Sequence, residues 1–564
     1  MCNEHRFFAG GSIAWSGFVK AVALVPAWLL ALALPSCGAL AQEPLQALPG
    51  FAELEAAGAT IGAIHIVNRD IFDTDRPDED KALFRWANAL HIQTRRSVIE
   101  RALLFKPGEP LVVRLIEESE RVLRATRYLY DVSLRPLAYR HGVVDIVVET
   151  RDTWTLDPGL SVGRSGGANS SSVSLREYNL LGSGVSLSLG RSSNVDRSGN
   201  EFQISNERAF GGRTALRYSR ANNSDGKRQA VSVAQPFYAL DAPWAAGVSA
   251  AKDDRIDAVY NAGTVVGQYR HRQNLAEAYA GRSLGRTDGW VQRWSVGVSR
   301  QDDAYALEAG LVAPPELPPS ERLVAPFVRY ELIEDRYEKL QNRNQIGQPE
   351  FFALGLASTL QLGRAFTALG SSREAWLYSA LVSRGFEPAR DHTLLASASL
   401  SGQYGGGQVP RQRLGAQAQY YLPQGPHWLF YAAAAGDRLT NPDPAETLLL
   451  GGDNGLRGYP LRYQSGTRRA LFTLEERAYS DVYVYRLFRV GGAAFFDTGR
   501  AWGGNNANTN TVQPGWLGSA GVGLRIFSVR AAFSNVLHLD LAFPLDPDSN
   551  VKRAQFVVKT KASF

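Results

Sequence analysis

Cysteine is almost missing from this sequence: there are two in 564 residues, Cys2 and Cys37. Both fall in a leader expected to be removed, so the mature chain would carry no thiol. That excludes disulfides, cysteine metal ligands and cysteine nucleophiles for it. Beyond the leader, no stretch reaches the ~18 uninterrupted apolar residues of a membrane-spanning helix. The eight histidines are scattered, with no pair at metal-ligand spacing, and neither a P-loop nor a dinucleotide fingerprint occurs. Two stretches fit G-x-S-x-G, GRSGG at 163–167 and GRSLG at 281–285. A nucleophile elbow needs a strand, a sharp turn and then a helix, whereas both stretches sit among alternating strands. The expectation is a protein without cofactor, metal or catalytic residues, and not an enzyme.

The leader itself is legible. Arg6 and Lys20 precede an apolar stretch, 21–34, and Ala39-Leu40-Ala41 supplies small residues before Gln42, so residues 1–41 read as a secretory signal peptide cleaved after Ala41. Pro35 makes Leu34-Pro35-Ser36-Cys37 a poor site for lipid attachment. The net charge of +6 is small for this length and spread along the chain, so no nucleic-acid partner is expected. What is abundant is glycine, at 54 residues, with 10% aromatics, 21% charge and a mean hydropathy of −0.20. Such a composition excludes a disordered chain and a bundle of membrane helices, and fits a β-rich protein.

Residues 42–59 read as a short acidic, Ala-rich linker. From 60 to 155 the pattern differs from that of the C-terminal four hundred or so residues: TIGAIHIVNRDIFD at 60–73 alternates as a strand, and 97–105 and 112–130 carry apolar residues at helical spacing. In the second helix Leu115, Val122, Leu123 and Leu129 form one face, with Glu117, Glu118, Glu120 and Arg121 mostly opposite. Strands at 131–139 and 143–154 come next, joined by a turn at His141-Gly142. The order β-α-α-β-β predicts a small α+β domain with both helices on one face of a mixed sheet, whose edge could take up a visiting strand.

From 156 to 564 the helical period vanishes and short alternating segments separated by turns continue to Phe564. In LGAQAQYYL, Leu414, Ala416, Ala418 and Tyr420 project opposite to Gly415, Gln417, Gln419 and Tyr421; in QFVVKTKASF, Phe556, Val558, Thr560, Ala562 and Phe564 oppose Val557, Lys559, Lys561 and Ser563. A soluble sandwich turns the apolar face inward, a transmembrane barrel turns it to lipid, and periodicity alone does not choose. Three features favour the membrane. About 400 residues of strand and turn match one barrel of about 16 antiparallel strands crossing in ~9–11 residues each. Connections alternate between short, as in YALDAPW at 238–244, and long, as in GGNNANTNTVQPG at 503–515. Trp244, Trp428, Phe430, Phe543 and Phe564 near strand ends suit interfacial girdles, and a sheet in lipid must close on itself.

Near the C-terminus GGDNGLRGYP, at 451–460, resembles the long extracellular-loop motif of the BamA/TamA-type outer-membrane assembly and translocation superfamily, the bacterial surface antigen family. The matching residues are Leu456, Arg457, Gly458 and Tyr459. Two further patterns of that family occur in order, E-x-R at Glu475 and Arg477 and F-x-D-x-G at Phe495, Asp497 and Gly499. In the family this loop folds back into the barrel lumen. A guanidinium placed there needs anionic partners, and Glu475 or Asp497 could supply a bidentate acceptor. Alternation puts Leu471, Thr473, Glu475 and Arg477 in the lumen, with Ala470, Phe472 and Leu474 outward; Asp497 shares its face with Phe495 and leaves Phe496 to the lipid. The reading is a lock, Arg457 held by Glu475 and Asp497, with Gly458 allowing a tight backbone and Tyr459 packing behind the arginine.

The resemblance implies further that 60–155 is a periplasmic POTRA domain, that REYNLLGSG at 176–184 belongs to the first barrel strands, and that Phe564 ends a C-terminal strand signal. One POTRA-like unit is present, where the best-known assembly factors carry several and two-partner transporters usually two. The expected function is an outer-membrane protein insertase or polypeptide translocase, with extended polypeptides as substrates, outer-membrane lipid as surroundings and periplasmic or lipoprotein partners. A dedicated two-partner-type secretion pore and a solute or lipid pore are the alternatives.

Overall fold

The computed structural model describes residues 48–564 apart from 211, 262, 348, 407–409, 444, 486, 504–514, 529–535, 550 and 562–564. The expected signal peptide, both cysteines, most of the loop 503–515 and Phe564 lie outside the described residues.

Helix formation is confined to the N-terminal part, where apolar residues recur at helical spacing. The order is α1 (Phe51–Ala56), β1 (Thr60–Arg69), α2 (Ala82–Leu90), α3 (Arg96–Glu100), α4 (Val113–Arg124), β2 (Leu129–Arg140) and β3 (Val143–Asp152). The three strands form one mixed sheet in the order β1-β3-β2, with β1 parallel and β2 antiparallel to β3. His141 and Gly142, both at positive φ, make the tight turn between β2 and β3. Ile61, Ile99, Leu123, Val132, Val144, Ile146 and Val148 fill the core between sheet and helices. Three differences from the sequence reading have physical causes. The linker contains α1, whose Leu54 is buried in that core. Between β1 and β2 there are three helices rather than two, because α2 shows its apolar side outward and carries no inward-facing period. Glu118, read as solvent-facing, is buried because the connection 236–243 docks on α4: it accepts a hydrogen bond from the Leu240 amide and pairs with Arg121, and Arg114 pairs with Asp241.

From Leu156 onward the strands, apart from two short two-stranded pairs, build one antiparallel sheet in which each strand pairs with the sheet's next strand in chain order and the last, Gln555–Lys561, lies beside the first, Leu156–Ser165. Among the described residues it has twenty strands, not about 16. Several connections are very tight: 166–167, 224–225 and 288–289 are two-residue turns, so the first half of the sheet fits more crossings into the same length. REYNLLGSG forms the connection between the second and third strands, with a single 3-10 turn at Leu180–Gly182.

Polarity across the sheet is inverted relative to a soluble protein. On Trp290–Ala306 the large side chains of Trp294, Val296 and Val298 are exposed, while Val291, Arg293 and Ser295 are buried on the other face. Leu414, Phe472, Leu474, Phe496 and Phe556 are exposed, and Glu475, Arg477, Asp497 and Val557 face inward and are buried, as alternation predicts. Trp244, Trp428 and Phe543 stand exposed at strand ends. Among the described residues no helix is long and apolar enough to cross a membrane. An outward apolar band over a polar interior is the arrangement a lipid environment favours.

The N-terminal domain is fixed to the sheet by its first long connection. Asn179 donates to the Thr94 hydroxyl at 2.7 Å and accepts from the Gly184 amide at 2.7 Å, while the Arg95 amide donates to the Gly182 carbonyl at 2.9 Å. Gly182 sits at φ +69, and a Cβ there would lie 2.3 Å from the Gln93 carbonyl oxygen. Gly182→Ala therefore adds left-handed strain of ~1–2 kcal/mol to a backbone clash. The expected result is a sheet that still folds, with tryptic cleavage at Arg95 and Arg96 accelerated about tenfold; unchanged cleavage would show that this contact does not hold the domain.

Candidate functional site

The connection between strands Trp428–Thr440 and Arg468–Val484 turns back into the interior of the sheet and carries Arg457. Its side chain is 7% exposed. The Asp497 carboxylate grips the guanidinium in a bidentate fork, accepting from Nε at 2.7 Å and from Nη2 at 2.8 Å. Nη1 is shared between Glu475 at 3.0 Å and Asp540 at 3.3 Å. The Thr473 hydroxyl donates to Asp497 at 2.9 Å, and the Phe495 ring lies 3.3 Å beneath the guanidinium carbon. Charge-assisted forks of this kind are among the strongest hydrogen bonds in proteins, and a cation over an aromatic face gains further once water is excluded.

The carboxylates arrive from three strands. Glu475 comes from Arg468–Val484, Asp497 from Phe488–Trp502 and Asp540 from Val536–Pro544. Two more buried arginines complete the cluster: Arg477 donates to Glu475 through Nε at 3.0 Å, and Arg525 pairs with Asp540. Three guanidiniums thus meet three carboxylates, and the buried cluster is formally neutral. Lys559, on the last strand, donates to the Gly452 carbonyl at 2.9 Å and ties the root of the loop to the sheet.

Every described residue of the expected lock is in or against this cluster. Leu456 and Tyr459 are fully buried in an apolar group with Leu450, Tyr463, Ala501, Leu517 and Val551. It is Phe495, not Tyr459, that backs the arginine; Tyr459 instead stacks near Tyr463, at 5.4 Å, and donates to the Asp546 carbonyl. Gly458 is required by close approach rather than by its torsion angles, since a Cβ would stand 2.7 Å from Ser519 Cβ and 2.9 Å from the Pro544 nitrogen. Gly499 is similarly crowded, with the Ala470 carbonyl 2.9 Å from where its Cβ would be. The two G-x-S-x-G stretches fall in the antiparallel sheet and its turns.

Sequence reasoning missed Asp540, Arg525 and Lys559. A signal existed: HLDLAF and GLRIF each place one charged residue on the inward side of an otherwise apolar alternation. It also missed a second occupant of the interior. The connection between strands Glu321–Glu334 and Ala357–Ala365 contains a hairpin, Tyr337–Gln341 with Pro349–Ala353. Its tip is held together by Glu350, which accepts from the amides of Arg343, Asn344 and Gln345. Ile346 is buried among Tyr421, Leu429, Tyr479 and Phe527. Arg477 donates to the Arg343 carbonyl at 3.0 Å, and Tyr479 to the Asn342 carbonyl at 3.0 Å. At the other end of the hairpin the Arg121 guanidinium of α4 lies 3.9 Å over the Tyr337 ring. A continuous line of contacts therefore runs from α4 through the hairpin and Arg477 to Glu475 and Arg457.

Removing one partner of a buried charge cluster leaves the others uncompensated, at a cost of roughly 3–5 kcal/mol. Arg457→Ala is expected to release the loop while the sheet stays folded. The check is trypsin added to intact cells or proteoliposomes: cleavage within 462–469 appears in the variant, whereas heat-modifiable migration on gels is retained. A loop that stays protected would mean the arginine does not hold it.

Residues 328–561 match the Omp85 superfamily domain. No curated protein matches the chain. Among solved structures, BamA from Haemophilus ducreyi lacking POTRA domains 1–3 is 13% identical over 89% of this chain and 85% of that one, with a TM-score of 0.39. CdiB from Escherichia coli is 14% identical over 88% and 76%, with a TM-score of 0.44, and CdiB from Acinetobacter baumannii 12% identical over 89% and 73%, with a TM-score of 0.42. The matched stretch, residues 328–561, holds the whole arginine cluster, and over this part the chain is similar to the Omp85 superfamily domain.

Proposed function

We propose that this protein is an outer-membrane insertase or translocase of polypeptides: its twenty strands close as a transmembrane barrel, and residues 60–155 act as a POTRA domain in the periplasm. The observation that carries this reading is a cavity of about 1430 Å³ where that domain meets the interior of the sheet. Its walls come from α4 and the start of β2, from strands Val185–Ser193 and Ser198–Ala209, and from Gly347, Pro349, Glu350 and Phe351 of the hairpin. Small-molecule sites occupy about 300–1,000 Å³; this one is larger and mixes apolar residues such as Val98, Leu129, Phe351 and Phe527 with arginines and serines. That mixture suits an extended polypeptide, which presents backbone, apolar and charged groups together.

The edge strand β2 borders the same cavity, so a segment adding to that edge by backbone pairing would be led toward the interior. Arg457 and its three carboxylates then serve as a lock that keeps the inserted loop in place while substrate passes beside it. No step of this cycle requires a nucleotide or a bond-making residue. A dedicated secretion pore for one large partner would use the same parts and is the second reading.

A comparison of outer-membrane and culture-medium proteins, with and without this chain, separates the readings. Depletion of several barrel proteins from the membrane is the expected result for an insertase, and loss of one large protein from the medium would identify a dedicated secretion pore. No change in either fraction would overturn polypeptide handling in favour of solute or lipid transport. Complementation with Arg457→Ala is expected to fall at least tenfold short of the wild-type chain at equal barrel abundance; full complementation would remove the lock from the mechanism.

A further inference from the structure

Helix α2 is built the wrong way round for a helix of a soluble domain. Phe84 and Asn88 face the protein: Phe84 stacks on Phe72 with ring centroids 4.0 Å apart, and Asn88 both donates to the Phe72 carbonyl, at 2.8 Å, and accepts from its amide, at 3.1 Å. Leu83, Trp86 and Leu90, at i, i+3 and i+7, share the opposite side of the helix. They are 57%, 60% and 54% exposed, and Ile92 just beyond is 54% exposed. Leaving such side chains in water forgoes ~1.5–3 kcal/mol each, and soluble monomers rarely keep a contiguous apolar patch of this kind open without a use for it.

The position of the patch identifies what covers it. The Phe72–Phe84 cluster also takes in Leu487, which belongs to the turn joining strands Arg468–Val484 and Phe488–Trp502 of the sheet. Around that turn Val482, Val484, Tyr485 and Phe488 are exposed, and so is Trp428 at the adjoining end of the neighbouring strand. The inward side of α2 therefore packs against this rim of the sheet, where exposed apolar side chains of the sheet and of α2 both occur. Lys81 caps the start of the helix, Arg85 lies within it and pairs with Asp80, and Arg95 and Arg96 come after it. A short amphipathic helix with Trp and Leu on one side and basic residues around them is the composition of segments that lie flat in the headgroup region of a bilayer.

We propose that α2 is a membrane foot: the Leu83, Trp86 and Leu90 side chains enter the lipid leaflet beside the barrel rim and hold the N-terminal domain against the bilayer. The domain would thus be restrained at two points, through Asn179 and Gly182 to the sheet and through α2 to lipid. The inference depends on the barrel standing in a membrane but not on what the barrel transports.

The test uses the full chain, whose native cysteines both precede the described residues and fall in the leader expected to be removed. Trp86→Cys, labelled with an environment-sensitive fluorophore and reconstituted in phosphatidylethanolamine/phosphatidylglycerol vesicles, is expected to show blue-shifted emission that is quenched by lipids brominated near the headgroup. The same label at Ile92 reports on a second variant, Leu83→Glu with Leu90→Glu, in which quenching is expected to be lost while heat-modifiable migration shows an intact barrel. Water-like emission without lipid quenching at both positions would overturn the proposal, as would a patch that becomes buried only when another periplasmic protein is added.

Discussion

A guanidinium removed from water must be answered by negative charge close at hand, and the C-terminal half of this protein is arranged around that requirement. Arg457 reaches the interior on a loop, and an unpaired cation there would be untenable. Its partners cannot sit on the loop itself, because a fork on both edges of the guanidinium needs acceptors from several directions. They come instead from three strands of the sheet, so the position of the loop and the register of the strands fix one another. Shifting any of these strands by one residue would turn its carboxylate out toward lipid, where a charge is costlier still.

The same reasoning explains why the cluster contains three arginines. Glu475, Asp497 and Asp540 alone would repel one another in a poorly hydrated interior, and Arg477 and Arg525 relieve that repulsion while leaving Arg457 free to engage all three. Because the group is neutral, it exerts little long-range field on a charged segment passing nearby. Arg477 has a further part: its second contact is the hairpin tip, so the acceptor Glu475 stands between the loop on one side and the hairpin on the other. The N-terminal domain reaches this hairpin by Arg121 on Tyr337.

How much of this was legible in the sequence varied with the kind of constraint. Strand alternation is local, so ALFTLEER and AAFFDTG were enough to place Glu475, Arg477 and Asp497 inward. Their contact with Arg457 was what the family resemblance of the three motifs implied, and charge made it coherent. Asp540 is 83 residues from Arg457, and its own neighbours read as an ordinary half-buried strand, so nothing local announced the partnership. The strand count failed for a different reason, since two-residue turns leave little composition to mark them. Helix α2 escaped because the usual search looks for an apolar side facing a core, and its apolar side faces away. Glu118 was misjudged because a docking loop from outside the domain covers it.

The spacing of the cluster along the chain also fixes an order of events. Arg457 precedes all three of its acceptors, and the last of them, Asp540, belongs to the penultimate strand. The loop therefore has no complete seat until almost the entire sheet has been threaded and paired. Until then its guanidinium is better left in water. Seating of the loop is thus a terminal event in the protein's own biogenesis, and a chain truncated or mispaired near its end would advertise the fault by leaving that loop outside, open to surveillance by proteases.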